Sequence, residues 1–357
     1  MVTVMFEAWR GRYSDSPRSV SEYLASMHPS VERWWVVDSH DHFPADARQI
    51  ARHSPGYFQS LVSADFLISN DIISRHYVGG RNVTYVQCWH GTPLKAIGFH
   101  DNKGGYKGSA AQFRRTVRDV KKWDYLLSPC PIITPILRSA FEYDGKVLEI
   151  GIPRNDVLCQ DKDNETRSRV RSLYGLSDDD PVVLYAPTWR DDDRDDHGRL
   201  AHSVMPDWES IAKALPRVKV LFRTHKNVRG AAPRLPSLID VCEYPDIADL
   251  YLAADALISD YSSAITDFAV TRRPIISYVP DLEHYRQDLR TLYFDYDDWA
   301  PGPVVMNTAD LIEALEDPLA SKDAFRDRYE WFTRTFCPFD DGNATRRLVD
   351  AVGLGEG

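Results

Sequence analysis

Three short strings, each at the end of an apolar run, gather the residues able to do chemistry. In Tyr85-Val86-Gln87-Cys88-Trp89-His90-Gly91-Thr92-Pro93-Leu94-Lys95, residues 84–89 suit a buried strand, and Gly91 and Pro93 then forbid regular structure. His90 therefore sits at a carboxyl-terminal strand edge, where open α/β sheets bind ligands. A histidine there can accept a proton near neutral pH, while Thr92 and Lys95 supply a hydroxyl and a cation close by. A plainer reading has His90 satisfied by backbone hydrogen bonds in a tight turn. The second string follows a strand at 218–222: Arg223-Thr224-His225-Lys226 offers cations and a histidine as a polyphosphate clamp. The third, Asp260-Tyr261-Ser262-Ser263, lies between a strand at 256–259 and a helix at 264–270. Its serines stand where backbone N–H groups and the positive helix end meet a phosphate, although N-capping alone accounts for one of them.

Two other clusters offer rival chemistry. A strand at 34–37 leads into Asp38-Ser39-His40-Asp41-His42, and His-x-His after a strand is how zinc-dependent amidohydrolases begin their metal site, because alternate residues point the same way. That reading needs eight βα units and further ligands at later strand ends, for which His225 and Asp260 are the candidates. The charged run 191–199 reads as a solvated loop, with a magnesium site as its competitor.

The elements that must position these strings alternate. Strands at 34–37, 65–68, 84–89, 125–127 and 147–150 interleave with helices at 19–27, 72–77, 112–123 and 135–141, with Ser16 capping the first of these and Pro17 opening it. A second series places strands at 182–185, 218–222, 256–259 and 275–279 among helices at 246–253, 264–270, 310–316 and 344–352. This is the pattern of parallel sheets wound on both faces. Gly151-Ile152-Pro153-Arg154-Asn155 reads as the crossing, giving an acceptor-side domain (1–153), a nucleotide-donor domain (154–335) and a terminal helix (336–357) packing back on the first.

With 357 residues, 43% hydrophobic and 27% charged, the chain can bury two cores. Its five widely spaced cysteines suggest neither a disulfide framework nor a cysteine-rich zinc site, which fits a reducing cytoplasm. No leader or membrane-spanning run is visible. A net charge of −10 argues against nucleic acid as partner, yet residues 95–122 carry eight basic side chains against two acidic ones. Such asymmetry points to one localised anionic partner. The helix at 112–123, with Arg114, Arg118, Lys121 and Lys122 on one face, is the expected contact with an anionic membrane surface.

The string Trp89-His90-Gly91-Thr92-Pro93-Leu94-Lys95 resembles the signature of the CDP-glycerol glycerophosphotransferase family, the teichoic acid and capsule polyol-phosphate transferases. The likeness extends to Phe6-Glu7 with Tyr13-Ser14-Asp15, to Ala186-Pro187-Thr188-Trp189-Arg190, Arg223-Thr224-His225 and Tyr244-Pro245-Asp246-Ile247. It continues through Asp260-Tyr261-Ser262-Ser263 with Asp267-Phe268, and Pro301-Gly302-Pro303. Departures are Ala8-Trp9 for Ser-Phe, Trp189 for Phe, Lys226 for Pro, and Arg290-Thr291-Leu292-Tyr293 for Arg-Gly-Phe-Tyr. They leave the choice of polyol open.

The resemblance implies an α/β, GT-B-like fold in which two Rossmann-like domains clasp the donor. It implies transfer of glycerol phosphate, or a related polyol phosphate, from a CDP-activated donor to a hydroxyl of a lipid-linked or polyol-phosphate acceptor, with release of CMP and without a cofactor. His90 would be the general base, with His225 its catalytic companion. Thr92, Lys95, Thr188, Arg190, Arg223, Asp260, Ser262, Ser263 and Arg290 would hold the donor, and Ser14, Asp15 and Arg18 would face the acceptor. The expected location is cytoplasmic, peripheral on the inner membrane face. A glycosyltransferase using a sugar nucleotide would share the architecture, and a non-catalytic nucleotide-binding module would bind CDP-glycerol without releasing CMP.

Overall fold

The apolar runs assemble into two parallel sheets. The structure, a computed structural model, describes residues 1–38, 43–73, 82–101, 110–160, 164–197, 201–224, 228 and 232–355. The first sheet comprises β1 (Thr3–Glu7), β2 (Glu32–Val37), β3 (Arg48–Ala51), β4 (Phe66–Ser69), β5 (Thr84–Gln87), β6 (Tyr125–Ser128) and β7 (Lys146–Glu149), in the order β3-β2-β1-β4-β5-β6-β7. The second comprises β8 (Val182–Tyr185), β9 (Lys219–Phe222), β10 (Leu238–Asp240), β11 (Ala256–Ser259), β12 (Ile275–Tyr278) and β13 (Val304–Val305), in the order β10-β9-β8-β11-β12-β13. Both repeat the doubly wound order of nucleotide-binding folds. Their central strands are buried on both faces, which is why they read as continuous apolar stretches rather than alternating ones.

Nine strands stand where the sequence places them, within about two residues. The other four, β1, β3, β10 and β13, carry weaker local signals. β3 is a polar edge strand with only Ile50 buried, and β10 and β13 have three and two residues. β1 is different: it pairs with β2 and β4 and lies mid-sheet, and its five residues show their role only through that pairing. The first helix, Asp15–Met27, begins earlier than expected. Ser14, not Ser16, precedes it, because the Asp15 carboxylate itself takes the Ser16 N–H at 2.6 Å. At Ala264–Ala269 the cap is Ser262, whose Oγ accepts from Ala264 N, and Ser263 makes no side-chain cap. Most of the helix expected at 72–77 lies outside the described residues.

The chain leaves the first sheet at 150–155, builds the second, and returns. The helix Ala344–Ala351 lies on the first sheet, with Leu348, Val349 and Leu354 joining Val4, Phe6, Val20 and Leu24 in one buried cluster. Its first amides are capped across the junction by Asp156, which accepts from Ala344 N at 2.9 Å and Thr345 N at 2.8 Å. Leu348 is fully buried, so Leu348→Ala should cost about 2–5 kcal/mol through lost burial and the cavity left behind. Chemical denaturation of parent and variant measures that loss directly.

Candidate active site

In a doubly wound sheet, ligands bind beyond the carboxyl ends of the strands where the order reverses. Here those points are β1/β4 in the first sheet and β8/β11 in the second. They open on one cleft of about 510 Å³ between the domains. Trp9, Ser14, Asp15, His90, Thr92 and Lys95 line one wall, and Thr188, Arg223, Tyr244, Ser262 and Ser263 the other. The structure thus brings together most of the site residues expected from the sequence.

His90 follows β5 at a sharp turn in which Trp89 has φ 53° and Gly91 φ 141°. A Cβ on Gly91 would stand 2.5 Å from Ser263 Oγ of the second domain, so only glycine permits this approach. The imidazole lies against the rings of Trp89 (4.0 Å) and Trp9 (4.9 Å). Its Nδ1 is 3.0 Å from the carbonyl oxygen of Asn70, after β4. A carbonyl can only accept, so Nδ1 carries the proton and Nε2 keeps its lone pair. Burial lowers the pKa below the usual histidine value, and the Arg154 cation adds to this, while the Asn70 bond and the charges of Asp71 and Asp15 oppose it. The result is a neutral base with one nitrogen available.

Two cations on the cleft have no carboxylate within ion-pair distance among the described residues. Arg223 donates from Nη1 only to the carbonyls of Val241 (3.0 Å) and Tyr244 (2.7 Å), and burial lowers its pKa despite the nearby Asp246. Burial brings Lys95 down to about 8, and the neighbouring Arg290 pushes the same way. The Oγ1 atoms of Thr92 and Thr188 are buried without a hydrogen-bond partner among the described residues. Unspent donors and uncompensated positive charge on opposite walls suit an anionic ligand.

Other expected binding residues stand apart from the lining. Arg190 is 3% exposed and bound to Asp260 Oδ2 (2.9 Å) and to both oxygens of Asp281 (2.6 and 3.0 Å), with the rings of Tyr261 and Tyr285 against it. Its charge is consumed beneath the cleft floor. Asp260 also holds Thr188 N at 2.7 Å and Tyr261 N at 2.6 Å, so it shapes the floor rather than facing the cleft. Arg290 is taken by Asp101 and Asp191, and Arg18 pairs with Asp246 across the domains at 3.0 Å. His225, His40 and His42 lie outside the described residues. Two open parallel sheets do not match the closed eight-stranded barrel that the amidohydrolase reading requires. In the 191–199 run, Asp191 and Asp192 are engaged by Arg290 and His284.

Sequence reasoning passed over the group joining the walls. Arg154 Nη1 donates to Asp15 Oδ2 at 2.8 Å, and Nη2 to Asp267 Oδ2 at 2.7 Å. Asp15 also receives Trp9 Nε1–H at 3.0 Å, and Asn70 Oδ1 receives the Trp9 backbone N–H at 3.0 Å. The only local signal was an arginine in a Gly-Ile-Pro-Arg-Asn crossing; its partners lie far off in sequence.

A family model described as CDP-Glycerol:Poly(glycerophosphate) glycerophosphotransferase matches residues 2–354. The teichoic acid poly(glycerol phosphate) polymerase of Bacillus subtilis (strain 168) is 33% identical over 98% of this chain, which spans only 48% of that protein's length. The teichoic acid glycerol-phosphate transferase of Staphylococcus aureus (strain NCTC 8325 / PS 47) is 34% identical, with 98% and 92% of the two chains covered. Among solved structures, the wall teichoic acid polymerase TagF superposes with a TM-score of 0.90 at 32% identity, covering 99% of this chain and 88% of that one. A UDP-GlcNAc 2-epimerase from Neisseria meningitidis, with a TM-score of 0.57 at 12% identity, shares the fold alone. By its full-length match and by its structure, the chain belongs to the CDP-glycerol:poly(glycerophosphate) glycerophosphotransferase family.

Proposed function

We propose that the cleft transfers glycerol phosphate from CDP-glycerol to an acceptor hydroxyl, releasing CMP, in the synthesis of a teichoic-acid-type polymer. The observation that carries this is His90, with Nδ1 committed to Asn70 and Nε2 available, across the cleft from Arg223, Ser262 and Ser263. The acceptor O–H gives its proton to Nε2 as its oxygen bonds to the phosphorus bearing glycerol, and the bond from that phosphorus to the CMP oxygen breaks. Arg223 and Lys95 offset charge on the diphosphate, and the hydroxyls of Thr92, Thr188, Ser262 and Ser263 donate to its oxygens. Phosphoryl transfer asks mainly for such positioning and charge stabilisation. Ser14 and Asp15 lie on the acceptor-side wall. Relatives at 32 to 34% identity are named for glycerol phosphate, which supports glycerol as the polyol, whereas the ribitol-phosphate relatives, together with one glycerol-phosphate primase, stand at 26 to 29%.

The acceptor is a lipid-linked or polyol-phosphate chain, met at the inner face of the membrane. The helix Ala110–Val120 supports this docking: Arg114 and Arg118, with Lys121 just past its end, are exposed, as is Phe113 at 44%. Arg115 turns inward to the carbonyls of Ile72 and Ile73, and Asp119 turns inward to Trp123 and Tyr85, so the outward face is left basic. No helix of the described residues is long and apolar enough to cross a membrane.

CMP release from CDP-glycerol, with CDP-ribitol and UDP-sugars as competing donors, tests the reaction. His90→Ala should lower the rate about 10²- to 10⁴-fold while CDP-glycerol affinity stays near the parent's; transfer above a tenth of the parental rate sinks the assignment. The neutral base is lost only below a pKa that lies under 6.5, so the acid limb of kcat/KM should fall below that value. An alkaline limb near 8, as Lys95 loses its proton, should vanish in Lys95→Met. For the donor site, Arg223→Ala should weaken CDP binding about tenfold or more, since a charge-assisted hydrogen bond contributes about 1.5–3 kcal/mol. Isothermal titration with CDP decides it. For the membrane, changing Arg114, Arg118, Lys121 and Lys122 together to glutamate should abolish salt-sensitive sedimentation with anionic liposomes and spare activity on a short soluble acceptor. Equal sedimentation of variant and parent excludes this helix as the anchor, and loss of soluble-acceptor activity favours direct contact with the acceptor.

A further inference from the structure

The residue following β7 that joins the two walls does more than hold the domains together. From the second domain, Asp267 binds Arg154; Arg154 binds Asp15; Asp15 holds the Trp9 indole; the Trp9 amide holds the Asn70 side chain; and the Asn70 carbonyl receives the His90 Nδ1 proton. Every link in this chain is 3.0 Å or shorter. Trp9 touches His90 a second time, ring against ring. We propose that Arg154, clamped between Asp15 and Asp267, is a positioning residue for the transfer reaction, coupling the orientation of the His90 base to the closed placement of the donor domain.

A second observation, independent of the hydrogen bonds, supports this. The stretch from the end of β1 to the first residue of the first helix holds three non-glycine residues in the left-handed region: Trp9 (φ 46°), Arg10 (φ 63°) and Asp15 (φ 64°). Such backbone persists only where its surroundings overdetermine it. Those surroundings include the Asn70 contact to Trp9 and the Arg154 contact to Asp15. Arg154 also reaches the other flank of the base, since Nη2 stands 3.0 Å from where a Gly91 Cβ would lie, beside Ser263. A relaxation of this segment by an ångström would carry Trp9, Asn70 and the imidazole out of line with the donor phosphorus, and displacements of that size cost on the order of 10²-fold in rate.

The inference rests on His90 acting as the base, and its test separates the two ideas. Arg154→Gln and Asp267→Asn should each lower kcat on the order of 10²-fold, with CDP-glycerol affinity and the thermal midpoint showing that the donor site and fold persist. Asp71, Asp15 and Arg154 are the charges that act on His90. Removing the cation therefore moves the acid limb of kcat/KM to higher pH in Arg154→Gln, which a merely structural role would not do. Arg154→Lys restores the position of that limb but not kcat, because an ammonium cannot span both carboxylates as the guanidinium fork does. Trp9→Phe, which keeps an aromatic ring beside His90 and removes the Asp15 hydrogen bond, should lower kcat alone and covers the case in which an Arg154 variant fails to fold. If kcat stays within threefold of the parent in Asp267→Asn and Trp9→Phe, the coupling is overturned even though His90→Ala is inactive. An active His90→Ala instead overturns the base assignment and leaves the clamp a domain tie only.

Discussion

A guanidinium buried between carboxylates from two domains constrains everything else in this molecule. Arg154 is 8% exposed, Asp15 7% and Asp267 1%. Placing three charges in such surroundings carries a large desolvation cost, and their mutual attraction repays it only where geometry is good. Net stability is therefore not the main gain. What the triad does supply is a single relative placement of the sheets, because any sliding of one domain leaves a buried charge without its partner. The placement is tight enough that the His90 turn meets Ser263 at a distance only Gly91 tolerates. A second tie lies at the other end of the same segment, where Lys95 bridges Leu292 and Tyr293 N donates to Leu94 O at 2.9 Å. The string carrying His90 is thus pinned to the second domain at both ends.

Charge is distributed in this cleft by a simple rule of compensation. Arg190 and Arg290, which the family resemblance implies as donor-binding residues, are each held by two carboxylates. Arg190 also lies against a stacked tyrosine pair, Tyr261 and Tyr285, with ring centroids 3.6 Å apart. Such groups are frame: Arg190 holds Asp260, and through it the Thr188 and Tyr261 amides, while Arg290 ties Asp101 to Asp191. Arg223 and Lys95 lack that compensation, and burial destabilises their charged forms. An anionic ligand is the kind of partner these two suit, and the hydroxyls of Thr92 and Thr188, unpartnered among the described residues, add hydrogen-bond donors. The difference between a ligand-binding and a structural cation is set by where the carboxylates are.

The sequence by itself determined much of this protein. Continuous apolar runs of four or five residues, each stopped by a polar string, can hardly be anything but strands of sheets buried on both faces, and that local constraint fixed nine strands and the alternating α/β class. Because open parallel sheets present ligands at their carboxyl ends, the strings after β5, β9 and β11 were legible as site residues, and His90, Thr92, Arg223, Ser262 and Ser263 do meet in one cleft. The edge strand β3 was not legible, since an exposed edge keeps a polar sequence, and β13 was not because two residues carry no periodicity. β1 was not legible either, because five residues at an amino terminus declare a central strand only by their two neighbours. The tertiary structure alone decided which cations are spent. Arg154 with Asp267, Arg190 with Asp281 and Arg290 with Asp101 are separated by 91 to 189 residues, and no local pattern encodes such a pairing. Residue type and spacing specify what a side chain can do within its own turn or strand; whether its charge remains to act on a ligand depends on long-range neighbours that only the folded chain brings together.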